Sequence, residues 1–302
     1  MNSKISNLCQ VASVRRYTMT EGTSRGLDVI DCDNGKIRFL LNASKALDIM
    51  QLYHCGQNIS FVSKNGFAER DDDFPCRFEG GMLYTCGLDS IGGRQGFVQH
   101  GKFHTLPSEI VRAECDENGI AVEALVRQST LFGECLVMRR KYTCAIGDDK
   151  VTLEDTLTNT AYTDAKYCLM YHVNVGYPML DAGARVVADA LATQPCGEWA
   201  EQNMNKMFEI EEDVAGKVET CYFHTLAKPC VSLVNEKLGK SFTLSYSQDT
   251  LPHFLQWKSM ASGDYALGLE PCTTNFRDGI EYKILKSGES ARFSVEFKVS
   301  EL

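Results

Sequence analysis

The sequence is poor in histidine, tryptophan and proline, and it carries less positive than negative charge. Of 302 residues, six are His, two Trp and seven Pro, while 31 Lys and Arg stand against 40 Asp and Glu for a net charge of -9. Without a basic excess there is no patch to neutralise phosphates, which argues against nucleic acid as a partner. The same deficit argues against anionic membrane surfaces. No apolar run reaches the length of a membrane span. The opening MNSKISNLCQ has neither the apolar core nor the cleavage pattern of a signal peptide. The thirteen cysteines are odd in number and form no C-x-x-C. Cys76, Cys86, Cys135, Cys144 and Cys168 sit in apolar or strand-like text. They read as reduced packing residues of a cytoplasmic protein, with a redox or catalytic role as the alternative. A chain this long buries roughly three quarters of its unfolded surface, so neither disulfide nor metal is needed to hold it together.

What the chain does have is period-two patterning. Tyr167 to Leu180, YCLMYHVNVGYPML, opens with a short apolar run and is stopped by Gly176 and Pro178. It predicts a buried strand that delivers His172 to its open end. Leu27 to Asp48 reads as a hairpin around Asn34-Gly35, a pair that reaches positive φ at little cost. Asn65-Gly66 is a second turn signal, and Glu69 to Asp73 reads as a solvated loop closed by Phe74-Pro75. Met82 to Cys86 is strand-like. Gly87, Gly92, Gly93 and Gly96 make the following segment permissive; it is neither a dinucleotide fingerprint nor a P-loop. It is either a plain connection or a loop that lines a ligand cleft and brings His100 to its floor.

Strands dominate Glu109 to Asn159. Ile120, Val122, Ala124 and Val126 alternate with the other face, as do Val151, Leu153 and Leu157. Ala200 to Val214 is the one stretch that reads as a modest helix. Strands resume at Val218 to His224, Cys230 to Asn235, Ser241 to Tyr246, Tyr265 to Glu270 and Arg292 to Val299. With turn signals about every ten residues, the expectation is an all-β sandwich or barrel of antiparallel sheets, one domain over 1–302.

Three groups stand out as chemistry. His100 lies in HGKFH, His172 in YHVNVGYP, and Glu270 ends the apolar strand YALGLEP where Pro271 blocks continuation. A carboxylate at the end of a buried strand has a raised pKa unless paired, and a neutral imidazole beside it completes a proton-transfer pair. The plainer readings are a satisfied core His172, a Glu270 that caps a loop or pairs with Arg277, and a His100 bonded to the glycine-rich loop. Trp257 is either core or a platform for the apolar face of a sugar.

Five phrases in order, GGMLYTCGLD, His100-Gly101 followed by Pro107, YHVNVGYPML, LPHFLQWK and LGLEP, resemble the galactose mutarotase superfamily. The likeness is to its aldose 1-epimerase-like branch that carries the domain-of-unknown-function label 4432. It spans about Leu27 to the end. The resemblance implies an antiparallel β-supersandwich with a sugar site on a concave face. It implies a glutamate that takes the anomeric hydroxyl proton and a histidine that protonates the ring oxygen, so that the ring opens and recloses as the other anomer. Carried onto this chain, the catalytic residues are Glu270 and His172. His100 holds substrate, with Asn174, Gln256 and Trp257 completing the pocket and Tyr177, Lys102 and Arg277 as further substrate contacts. Two positions depart from the pattern. Lys45-Ala46 stand where an arginine and a glycine are usual, and Lys102 follows Gly101 where arginine often does; lysine cannot reproduce a bidentate guanidinium contact. The partner implied is a monosaccharide or modified sugar, with no metal or organic cofactor, in a monomer or homodimer. Two other readings stay open. One is a metal-assisted isomerase using His100, His104, His172 and Glu270. The other is a non-catalytic carbohydrate-binding protein using the same cleft and Trp257.

Overall fold

Alternating apolar residues need a second layer to cover them, and the chain supplies it with two antiparallel sheets. The computed structural model describes residues 3–69 and 72–302. Met1 and Asn2 of the N-terminal segment lie outside the described residues, as do Arg70 and Asp71 of the expected acidic loop; Glu69, Asp72 and Asp73 are exposed. The smaller sheet takes Ser13–Thr18, Asp28–Asp33, Ile37–Asn42, Asp48–His54 and Gln57–Asn58 in sequence order. The expected hairpin is its centre: Asp33 pairs Arg38, and Gly35 takes φ 87° in the turn.

The larger sheet has thirteen strands among the described residues. One flank runs Lys283–Leu285, Ala165–Val175, Asp264–Cys272, His253–Ala261, then Thr220–Asn235. The other continues through Lys240–Tyr246, Ser290–Glu301, Lys150–Asn159, Cys135–Cys144, Gly119–Ser129 and Ser108–Asp116. Leu83–Leu88 adds to Ala165–Val175, and Arg185–Pro195 to Thr220–Asn235. In Cys135–Cys144 every second residue is buried, and Phe39 of the small sheet lies 6.3 Å from Tyr142 of the large one. That interdigitation is the main core.

Two expectations change. Thr220–Asn235 is a single strand where the sequence suggested two. Its first part pairs with His253–Ala261 and its last with Lys240–Tyr246, so Pro229 falls near the change of partner, where a missing N–H costs little. The expected helix Ala200 to Val214 is instead a short helix, Glu198–Gln202, then a 3-10 turn, Met204–Lys206. Beyond it the backbone bonds to the sheet, Ile210 to Ala184 and Val214 to Met260, and that pairing outweighs weak helix propensity. The thirteen cysteines form no disulfide; Cys86, Cys144 and Cys168 are buried, whereas Cys76 is exposed. Among the described residues no helix is long and apolar enough to cross a membrane.

Candidate active site

Two neighbouring strands place the proton-transfer pair. Ala165–Val175 and Asp264–Cys272 run antiparallel with Met170 opposite Cys272 and Asn174 opposite Gly268, so His172 falls directly opposite Glu270. Directly opposed residues share a face. His172 Nε2 is 3.2 Å from Glu270 Oε1, with the side chains 7 and 1 % exposed. Among the described residues, neither carboxylate oxygen of Glu270 nor His172 Nδ1 has a hydrogen-bond partner. Gly268 makes the room: a Cβ there would overlap Glu270 Oε1 and lie 3.1 Å from His172 Cε1.

The pair forms the floor of a cleft of about 720 Å³. Trp257 walls one side, its ring 5.6 Å from His172 and its Nε1 donating to Glu219 at 2.6 Å. Phe74 and Phe78, from the short helix Phe74–Arg77 and its exit, pack 4.8 Å from the His100 ring and 5.8 Å from the His172 ring. His100 lines the cleft at φ 62°, a left-handed conformation that bulky residues rarely adopt. Gly101 explains why a glycine must follow: its φ is 76°, and a Cβ would collide with the Gly87 carbonyl. The Gly92 N–H donates to His100 Nδ1 at 3.4 Å, which leaves a neutral ring with its proton on Nε2 as a donor.

Burial sets the protonation states. It pushes the His172 imidazole well below its usual range, and the nearby His100 adds to this while the polar side chain of Asn174 opposes it. It pushes the Glu270 carboxyl well up, helped by the charge of Glu219. Both shifts favour the uncharged pair, with its proton on Glu270. His100 is pushed down to about 4 by burial and then by Arg77. His224, on the other face of the sheet, is also pushed down to about 4 by burial. These imidazoles stay neutral in the fold while the unfolded chain protonates near 6.5, so stability is lost as pH falls from about 6.5 toward 4. For His224 alone the loss is about 3 kcal/mol by pH 4. Thermal midpoints across that range, with and without His224→Gln, will show a flatter profile in the variant.

The other expected residues divide. Asn174 shares the face of His172 but is wholly buried, donating to the carbonyls of Gly81 and His172 at 3.0 and 3.1 Å. Gln256 does not line the cleft. It is adjacent to Trp257 on one strand, and successive side chains point to opposite faces; it is buried in the core and donates to the Met207 carbonyl at 2.6 Å. Gln256→Met will accordingly cost about 1–3 kcal/mol in a denaturation curve through the carbonyl it leaves unpaired, while the chemistry of the cleft is unchanged. Tyr177 is 69 % exposed and outside the cleft. Lys102 and Arg277 are also exposed and line no part of it; the neighbour of Arg277, Phe276, does. The ring nitrogens of His104 are taken by Asp48 and Glu79, and among the described residues the four-residue metal set does not assemble. Lys45 is buried against Glu79 and is no substrate contact. Cleft residues missed from sequence include Leu255 and Ser259, which the i ± 2 rule applied to Trp257 would have found.

A family model, described as a domain of unknown function (DUF4432), matches residues 24–299. The chain belongs to the DUF4432 family. No curated protein matches this DUF4432 chain. Solved structures do. A provisionally assigned aldose 1-epimerase from Klebsiella pneumoniae subsp. pneumoniae MGH 78578 superposes with TM-score 0.86 at 20 % identity, over 97 % of this chain and 86 % of that one. A galactose mutarotase-like protein from Clostridium acetobutylicum gives 0.72 at 12 % identity, over 97 and 100 %. Another, from Lactobacillus casei ATCC 334, gives 0.64 at 13 % identity, over 90 and 100 %. The DUF4432 chain thus has the galactose mutarotase-like fold, an antiparallel β-supersandwich.

Proposed function

We propose that this protein interconverts the anomers of a monosaccharide or modified monosaccharide by acid–base ring opening. The observation that carries the reading is the cross-strand pair: an imidazole nitrogen and a carboxylate oxygen 3.2 Å apart, without hydrogen-bond partners on the carboxylate among the described residues, lining an open cleft.

A pair holding one proton suits a reaction that moves two protons and creates no net charge. When the proton sits on His172, Glu270 is a base and His172 an acid. Glu270 takes the proton of the anomeric hydroxyl, C1=O forms, the C1 to ring-oxygen bond breaks, and His172 gives its proton to the ring oxygen. The pair then holds one proton again, on Glu270. Rotation about C1–C2 presents the other carbonyl face, and the reverse transfers close the ring. His100, neutral with an Nε2 proton, donates a hydrogen bond to substrate oxygen, and Trp257 offers an indole face to the apolar side of a pyranose. The carboxylate and imidazole need no metal for these transfers.

The test is polarimetry or saturation-transfer NMR on a panel of freshly dissolved sugars, neutral and acidic. At least one will equilibrate in proportion to protein concentration. A panel that equilibrates no faster with protein than without, while calorimetry detects sugar binding, would replace catalysis with binding alone.

A further inference from the structure

Behind the cleft lies a chain of six charged side chains that takes no part in the transfers above. Lys45 Nζ is 2.8 Å from Glu79 Oε2. His104 bridges Glu79 Oε1 at 3.2 Å and Asp48 Oδ2 at 2.7 Å. Arg140 joins Asp48 at 2.5 Å to Asp155 at 2.8 Å. None of the six is more than 5 % exposed. Three cations balance three carboxylates only when His104 carries its proton. Burial works against that charge, but the bonds and charges of Asp48 and Glu79 outweigh it and raise the imidazole above its usual range. Besides these carboxylates, the ring faces Tyr84, stacked at 3.7 Å and 19°.

Each end of this bridge reaches a segment that shapes the cleft. His104 follows His100 by four residues in one turn, which the 3-10 helix Phe103–Thr105 closes. Glu79 directly follows Phe78. Tyr84 is the direct cross-strand neighbour of His172 and touches both Phe74 and Phe78. A buried ionic bridge is a weak source of net stability, but removing one member strands the others. Its value lies in holding one arrangement.

We propose that His104 is a positioning residue for anomer exchange: bridging Asp48 and Glu79, it sets the His100 turn and Tyr84 against the proton-transfer pair. The kinetic part rests on the proposed function; the structural part does not. His104→Gln leaves Lys45 and Arg140 facing three carboxylates and destabilises the fold. The double variant His104→Gln/Glu79→Gln restores the balance, so its thermal midpoint recovers toward the parent's. The bridge is still absent, so kcat/KM stays roughly 10- to 100-fold down, chiefly through KM, since His100 moves while His172 and Glu270 remain opposed. In protein labelled with nitrogen-15 histidine, the His100 ring signals shift in the double variant and those of His224 do not.

The parent supplies a measurement that needs no variant. The bridge is complete below about pH 6.5 and is lost as pH rises through the raised folded-state value of His104. The His100 signals and KM should move together with that titration. A double variant with parental KM and unmoved His100 signals overturns the proposal. So do a KM and His100 signals that stay flat while His104 titrates. If the parent exchanges no sugar, the proposed function fails, and the His100 signals alone still decide the positioning.

Discussion

Replacing Glu270 by Gln, or His172 by Asn, will slow anomer exchange by roughly 10²- to 10⁴-fold, the usual worth of a positioned acid or base. That is about 3–5 kcal/mol of barrier. The two losses should not add in the double variant, because each replacement removes the single proton shuttle that both groups form. Glu270→Gln keeps size and replaces a carboxyl whose charged form burial disfavours, so its fold should survive. Loss of rate there is loss of a base, not of structure. Saturation-transfer NMR on the best sugar of the panel measures it. Single variants as fast as the parent would remove both residues from the chemistry.

Gly268→Ala tests the same geometry with one methyl group. Gly268 lies opposite Trp257 on one side and Asn174 on the other. Its backbone is not in the left-handed region, so alanine suits the strand. The added Cβ nevertheless needs the space of Glu270 Oε1 and presses on His172 Cε1 and on Trp257 Cβ, each 3.1 Å away. The carboxylate must swing away from the imidazole. An ångström of misplacement in a reacting group is worth about 10²-fold, so kcat should fall by about that factor. Overpacking costs typically 1–3 kcal/mol of stability, small enough for the variant to fold. A folded variant with unchanged kcat would mean that the 3.2 Å approach is not what the reaction uses.

How much of this could be read without coordinates differs residue by residue. His172 and Glu270 were legible because each is a polar group conspicuous in an apolar run; neither ends its strand as expected, since Ala165–Val175 continues past His172 and Asp264–Cys272 runs on through Pro271. The His100-Gly101 pair was legible as a phrase; that the glycine is needed because its Cβ would strike the Gly87 carbonyl was not. Gln256 was misplaced although strand parity alone could have corrected it: Trp257 and Gln256 cannot face one cleft. His104 looked like a companion of His100 because they are four apart, yet the turn between them points the second ring into the ionic chain. Phe74 and Phe78 gave no signal, because they lie beside an acidic loop and reach the cleft only through tertiary packing.

The order of residues by itself determined the all-β architecture, the turn at Asn34-Gly35, and the short set of groups able to move protons. Those follow from local rules of alternation, backbone freedom and the rarity of titratable groups in apolar strands. Only the tertiary structure decided the register that sets residue 172 opposite residue 270, the burial that disfavours charge on both, and the partners that claim Gln256 and His104. Register and burial depend on which distant strands meet, and nothing in the neighbouring sequence encodes that meeting.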